Sequence, residues 1–325
     1  MIIAVTGGSG FVGSHVVEAL LARAYTVRCL VLPGEKPIWL DPRAVEFVEG
    51  DLRKPETLGP LVAGCDAIVH VAGLTRARRS GEFQAVNTDG TRALIARALD
   101  QPKPPRHVIA ISSIAAAGPA QDSDGLAEDA PLRPLTAYGR SKADMESAIA
   151  GFAGRIDYTI IRAPTVYGPR DRDVLKYFRL IANGLRLIVA DGSMLSILYV
   201  KSLASAVASC LLSPPAYRQI FALADDGVYD WDQFASMIEQ ALGSRTRRLR
   251  VPGPVLSALA ATNELLRPLA PSPPLFTKDK LVDVRQRYWV VSSAKAKHLI
   301  GYTPLAASGD AIAETVAWYR SEGWL

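Results

Sequence analysis

The sequence predicts an α/β protein: a doubly wound parallel sheet with a smaller, interleaved C-terminal domain. Three observations predict it. Short apolar runs alternate with helical patterns through the first half, a glycine triplet separates the first run from the first helical pattern, and the alternation loosens after about Pro164. Strands alternating with helices of this length imply right-handed βαβ units, hence a parallel sheet with helices on both faces.

In chain order, the predicted strands are IIAV (2–5), TVRCLVL (26–32), VEFVE (45–49), AIVHV (67–71), HVIAI (107–111) and YTIIR (158–162). FVGSHVVEALLARA and DGTRALIARALD lie between them with helical periodicity. Beyond Pro164, VLKYFRLIANGL reads as a helix, SILYVKSLASAVASCLL as a strand running into a helix, and IFALA as another strand. GDAIAETVAWYRSEGWL closes the chain as a helix.

Composition narrows the function classes. At 325 residues and 49% hydrophobic, the chain can bury one large core or two moderate ones. Cys29, Cys65 and Cys210 are far apart, as are His15, His70, His107 and His298, so neither a metal site nor a disulfide framework is expected. That usage suits a reducing cytoplasm. Glycines begin at Gly7, which leaves no room for a secretory leader. The apolar stretch VPGPVLSALAATNELLRPLAP is broken by Pro252, Pro254, Asn263, Glu264 and Arg267. It is not a membrane span, though it suits an apolar cavity wall or a membrane surface. Net charge is +5, with the densest basic run at RTRRLR, Arg245 to Arg250. That run reads as a solvated strand edge or a patch for an anionic substrate. Without interleaved aromatics it does not suggest nucleic acid.

Gly7, Gly10 and Gly13 in AVTGGSGFVGSHVV lie between a strand and a helix. Glycine suits a tight turn there, lets backbone approach a pyrophosphate, and allows close helix–strand packing. The free N–H groups at the helix start then face the phosphates. A Rossmann-type dinucleotide-binding domain over residues 1–164 follows, with return segments near 196–225. Residues 165–325 would mainly form a substrate-binding domain. The second strand ends Leu30-Val31-Leu32-Pro33-Gly34, with neither the acid that binds ribose hydroxyls nor the base that binds a 2′-phosphate. Arg28 and Lys36 are nearby, so the choice between NAD and NADP stays open. Asp51, after the third strand, suits either an adenine contact or a plain turn.

In TAYGRSK, Tyr138 and Lys142 are four residues apart, a spacing that 11 Tyr and ten Lys produce by chance often enough to prove nothing alone. Several ordered motifs together do carry weight. TGGSGFVG, GDLRKP, HVAG (70–73), NTDGT (87–91), ISSIAAAG (111–118), YGRSK and RAPTVYGP (162–169) resemble those of the extended short-chain dehydrogenase/reductases, the NAD-dependent epimerase/dehydratase family. The ending KHLIGYTP…WYRSEGWL is similar too, so the resemblance covers nearly the whole chain.

The resemblance implies a site. Gly7, Gly10, Phe11, Val12 and Gly13 would form the cofactor turn, Leu32 would end the second strand, and Asp51 and Leu52 would meet the adenine. Val71, Ala72, Gly73, Ser112, Pro164 and Val166 would flank the remainder of the dinucleotide. Tyr138 would take or give the carbinol proton as hydride moves to or from the nicotinamide. Lys142, one helical turn on, would hold the ribose and lower the phenol's ordinary pKa of about 10. Ser113 would hydrogen-bond the substrate oxygen. Asn87 matches a water-relay position, and capping of a helix start is an equal reading. The resemblance also implies a homodimer through helices flanking Tyr138.

Departures from the family pattern narrow the chemistry. Ile114-Ala115-Ala116-Ala117 follows Ser113 where the 4,6-dehydratases carry an acidic pair, so dehydration is not expected. Ala117 also replaces a usual tyrosine, and Gly73 in HVAG a usual alanine. Met194-Leu195-Ser196 stands where sugar-nucleotide enzymes supply an arginine, and Val200-Lys201-Ser202 where they carry VDD. The leading expectation is a nicotinamide-dependent oxidoreductase for a hydrophobic alcohol or ketone. A nucleotide-sugar epimerase is the alternative, and a non-catalytic dinucleotide-binding scaffold or redox sensor the third.

Overall fold

The computed structural model describes residues 1–188, 192–266 and 277–325. Its principal sheet contains all six strands expected in the first half: β1 (Ile2–Thr6), β2 (Thr26–Val31), β3 (Val45–Glu49), β4 (Ala67–His70), β5 (His107–Ser113) and β6 (Asp157–Ala163). A seventh, Gln219–Ala222, returns from the second half to pair beside β6. The order across the sheet is Gln219–Ala222, β6, β5, β4, β1, β2, β3, with every pairing parallel. The chain winds outward from β1 through β3 and then crosses to β4 on β1's other side. Ligands of such sheets bind at that crossing, outside the carboxyl ends of the strands.

Alternation along the strands fills both faces. Ile3, Val5, Val69, Ile109 and Ile161 point toward Val16, Val17 and Leu20 of the first helix, Phe11–Leu21. Ala4, Ile68, Val108 and Ile160 point the other way, onto Leu61, Leu94, Ile95, Met145 and Ile149. Burying each large side chain is worth about 1.5–3 kcal/mol. A one-residue register slip would exchange the two faces, so the pattern specifies register. Leu203 and Val207 of the helix Val200–Cys210 join the first face.

Beyond β6, Tyr167, Phe178, Tyr199, Phe234 and Tyr319 form a separate aromatic core. It ties together the helices Leu175–Ala182, Trp231–Leu242 and Ser308–Ser321. The basic run forms an exposed strand, Arg247–Arg250, paired with Leu185–Ile188, as the solvated-edge reading expects.

One expectation is corrected. The helical trace expected to begin near Asn87 begins at Ser80 and passes through a π-helical stretch, Gln84–Asp89, before Gly90–Leu99. Asn87 is therefore interior to a helix and caps nothing. Most of the apolar stretch forms a helix, Gly253–Leu266, and its last residues, 267–271, lie outside the described residues. Its Leu256 and Ala260 pack on Leu281, while Val255, Leu259, Leu265 and Leu266 are exposed. Not this helix but the next, Lys278–Val284, reaches the segment carrying Tyr138. Among the described residues, no helix is long and apolar enough to cross a membrane.

Candidate active site

Gly7 adopts φ +69°, and a Cβ there would lie 2.7 Å from the Ala72 nitrogen. A Cβ on Gly13 would lie 1.9 Å from the Gly7 carbonyl oxygen. Both glycines are thus demanded by the crossing of turn, helix and β4. Gly10 is different: its Cβ would meet nothing nearer than that oxygen, at 3.4 Å. The first helix has no side-chain cap and no acid in its first turn, so its leading N–H groups are left for an external anion. This cradle fits a dinucleotide pyrophosphate. Phe11 and Val12, half-buried, anchor the helix start in the cores below.

Leu32-Pro33-Gly34-Glu35 forms a tight turn, with Glu35 N–H donating to the Leu32 carbonyl at 2.9 Å and Gly34 at φ +77°. Proline then glycine at the two central positions suits a type II turn. The turn folds Glu35 back onto the end of β2. Its carboxylate accepts from Leu32 N–H at 2.9 Å and from Ser9 Oγ at 2.6 Å. A carboxylate therefore stands between the second strand and the glycine turn, where ribose hydroxyls bind in such folds. Reading only the last strand residues missed it. The signal was Pro-Gly followed by Glu. Arg28 is turned away, held by Glu46 and by carbonyls of Pro60, Leu61 and Ala63.

Asp51 is buried and pairs with Arg53 at 2.6 Å, whose guanidinium holds its carboxyl below the usual range. Leu52 is buried beneath Gly90, where a Cβ would approach it to 2.9 Å. Ser112 departs from expectation in its side chain: the hydroxyl is buried and donates to Glu146 at 2.6 Å. Only its backbone is left to face a cofactor. Pro164 and Val166 lie half-buried just beyond β6.

At the end of β4, His70 is buried between Thr6 and Thr91, 2.7 Å from each hydroxyl. Burial, with the nearby charge of Lys142, lowers its pKa to about 3, so it serves as a neutral strut. Val71 and Ala72 continue from it against the end of β1, both N–H groups donating to the Thr6 carbonyl at 3.1 Å, and Gly73 follows. Asn87 accepts from Leu74 N–H at 2.7 Å and donates to the Leu74 carbonyl at 3.0 Å and to Ser141 Oγ at 2.9 Å. The π-helical stretch aims this amide inward, tying the loop after β4 to the Tyr138 helix.

That helix, Ala137–Ala150, is capped by Thr136, whose hydroxyl accepts from Gly139 N–H. Tyr138 stands beside Phe83, with Ser113 close enough to act on its phenol. Lys142 is buried, and its ammonium donates to the Ile111 carbonyl at 2.8 Å. Burial lowers it to about 8, against the opposing pull of Glu146. The expected lowering of the Tyr138 pKa is not found. Burial raises the phenol, Ser113 opposes the rise and Asp283 adds to it. Lys142 contributes little to the phenol because its charge is turned to the β5 carbonyl.

Below the site, Glu146 and Arg162 form a buried ion pair at 2.8 Å, a pair the sequence reading did not single out. Arg162 also donates to the Glu128 carbonyl. Glu146 lies one turn past Lys142, and that spacing was its available signal.

A family model, described as the NAD dependent epimerase/dehydratase family, matches residues 3–218. The chain belongs to this family. It is 31% identical to a ceramide reductase of Caulobacter vibrioides over 100% of this chain and 96% of that protein. It is 27% identical to the 4-hydroxy-2-methyl-3-oxo-4-farnesyl-3,4-dihydroquinoline-1-oxide ketoreductase of Stigmatella aurantiaca, over 92% of this chain and 90% of that one. The solved structure of DesIV, a dTDP-glucose 4,6-dehydratase from Streptomyces venezuelae with NAD bound, superposes with a TM-score of 0.79 at 25% identity, covering 100% and 98% of the two chains. The family member described here is an enzyme that uses a nicotinamide dinucleotide.

Family membership leaves the reaction to local chemistry. Ser113 caps a short helix, Ile114–Ala117, whose four residues are all buried. A Cβ on Gly139 would lie 2.4 Å from the Ala115 carbonyl, so this helix packs directly on the Tyr138 helix. No acid stands there to expel water.

Proposed function

We propose that this enzyme is an NAD-dependent oxidoreductase that interconverts a ketone and a secondary alcohol on a hydrophobic small molecule. The observation that carries the reading is the apolar wall Ile114–Ala117 set directly after Ser113. Leu195, buried where sugar-nucleotide enzymes place an arginine, supports it. A diphosphate facing such groups would lose hydration without compensation, whereas an apolar skeleton gains about 25 cal/mol per Å² buried. The arginines that would have favoured a diphosphate do not help it. Arg248 and Arg250 line a cavity of about 180 Å³ that also holds Asp230 and Asp232. Arg186 within it is committed to Asp232 and Glu239, and Arg248 to Asp232. The names of the two relatives support the same class, one acting on a ceramide and the other on a farnesylated ketone.

In the mechanism, Ser113 and Tyr138 together hold the substrate oxygen, and the Tyr138 hydroxyl gives its proton to the carbinol or takes it back. Lys142 and Asn87 hold the helix and loop that frame them, and the residues after 165 close over the substrate. The bound dinucleotide supplies or accepts the hydride. Glu35, placed for ribose hydroxyls and against a 2′-phosphate, favours NAD. The test is turnover of long-chain ketones with NADH beside titration of UDP, GDP and dTDP sugars. Reduction of the ketones is expected. Micromolar binding of a nucleotide sugar with its diphosphate on Arg245, Arg247 or Arg248 would instead establish the epimerase. Retained Tyr138 and Lys142 argue against a non-catalytic scaffold.

A further inference from the structure

The helix Lys278–Val284 lands on the start of the Tyr138 helix. Asp279 Oδ2 accepts from Ala137 N–H at 2.8 Å, one residue before Tyr138. Asp283 lies four residues further along, so it sits on the same face one turn on. It is 7% exposed. Its backbone carbonyl accepts from Trp289 Nε1 at 2.8 Å, which fixes the end of the helix. One carboxylate oxygen, Oδ2, meets Lys280 Nζ only at 3.5 Å, and the other, Oδ1, has no hydrogen-bond partner. Asp283 is near enough to Tyr138 for its charge to oppose ionisation of the phenol.

A buried carboxylate oxygen without a donor is costly, and folded proteins rarely leave one except where a water, an ion or a ligand completes it. Among the described residues, the side-chain donor that reaches this carboxylate is Lys280, itself exposed, and it reaches Oδ2 and not Oδ1. Leu281 packs into its own apolar cluster, and Phe83 lies against the Tyr138 ring.

We propose that Asp283 reads the substrate: its Oδ1 accepts a hydrogen bond from a hydroxyl or N–H carried next to the carbon that Tyr138 serves. The substrate is then a hydrophobic carbonyl compound with a donor beside the carbonyl, and not a plain ketone. This deepens the reading above and rests on a ketone or alcohol lying at Tyr138.

The experiment compares two long-chain ketones of equal length, one with a hydroxyl on the carbon next to the carbonyl and one without. The wild type is expected to favour the hydroxyketone in kcat/KM by about tenfold to a hundredfold, the range for a hydrogen bond to a charged group. Asp283→Ala should bring that ratio near one. Asp283→Asn, which keeps an acceptor oxygen, should retain part of it. Neither variant should lower Tm much, since the buried carboxylate has one long ion pair, to the exposed Lys280 at 3.5 Å. A wild-type ratio of one, or a ratio unchanged in Asp283→Ala, would overturn the assignment. So would equal losses on both ketones together with a lowered Tm, the mark of a structural role. If neither ketone is reduced, the proposed function fails. The donor preference is then read separately, from dissociation constants of the same pair titrated into enzyme with NAD.

Discussion

The ammonium of Lys142 donates to the carbonyl of Ile111, 2.8 Å away at the end of β5. It is thus held by the sheet rather than by the phenol one turn before it. Burial keeps its pKa near 8, against an ordinary 10.5. Cofactor affinity should therefore weaken as pH rises through about 8 and the ammonium is lost. Stability should move oppositely. The unfolded chain keeps its proton up to about 10.5 while the folded chain gives it up near 8, so the unfolding free energy gains from this group between those values. Titrating NAD at several pH values, with parallel denaturant melts, checks both signs. Lys142→Ala should remove both dependences, and an unchanged cofactor affinity in that variant would refute the ribose role.

Tyr138→Phe removes the transferable proton and leaves the ring against Phe83. Turnover should fall by about a hundredfold or more, within the usual contribution of a positioned acid–base group. NAD affinity should stay within about threefold, because the helix start and Glu35 are untouched. Retention of most activity would place the proton transfer elsewhere.

Glu35 sets the cofactor. A carboxylate accepting from ribose hydroxyls gains about 1.5–3 kcal/mol from charge-assisted hydrogen bonds, and it repels a 2′-phosphate. NAD should be preferred over NADP by at least about tenfold to a hundredfold. Glu35→Ala should erase most of that margin, and Glu35→Arg should reverse it. Comparing kcat/KM for the two cofactors in each variant is decisive; equal ratios in wild type and Glu35→Ala would exclude this carboxylate as the determinant.

The sheet was legible because its cause is local. Ile3, Val5, Ala67, Val69 and Ile109 are apolar on a buried parallel sheet, and period and turn chemistry say so without tertiary information. Tyr138, Lys142, Ser113 and the glycines were singled out by another local signal, the ordered motifs that resemble the family, since each stands at a set place within one motif. Glu35 was not, because its position depends on a turn closing after the strand. Nor were Asp283 and the partner of Ser112. Asp283 approaches Tyr138 across 145 residues of chain, and Ser112 meets Glu146 only once helix and sheet have packed. The Tyr138 pKa failed for the same reason: the helical spacing brought Lys142 near, but the carbonyl of Ile111 claimed its charge.

The buried pair Glu146–Arg162 makes a stability prediction. Glu146→Ala would leave the Arg162 guanidinium charged and without its carboxylate, and would free the Ser112 hydroxyl. Breaking one side of a buried pair costs about 3–5 kcal/mol. Glu146→Gln keeps hydrogen-bonding capacity and should cost less. Denaturant melts of the two variants should separate in that order. Equal, small losses would show that the pair contributes little.

Gly73 makes the last prediction, and it concerns the space that Lys142 occupies. A Cβ there would sit 3.1 Å from both Lys142 Nζ and Asn87 Oδ1. The family resemblance places alanine at this position, so the glycine is a departure that this geometry explains: the ammonium lies against a backbone with no side chain. Asn87 cannot retreat, because its amide is fixed to Leu74 and Ser141. Lys142 has a flexible stem and can. Gly73→Ala should therefore move the ammonium by a few tenths of an ångström away from β4. The Tyr138 phenol should then feel more of its charge, and the basic limb of the kcat/KM profile should shift to lower pH. Gly73 is exposed, so Tm should change little. A pH profile that superposes on the wild type, with unchanged NAD affinity, would show that the stem absorbs the methyl group without moving the charge.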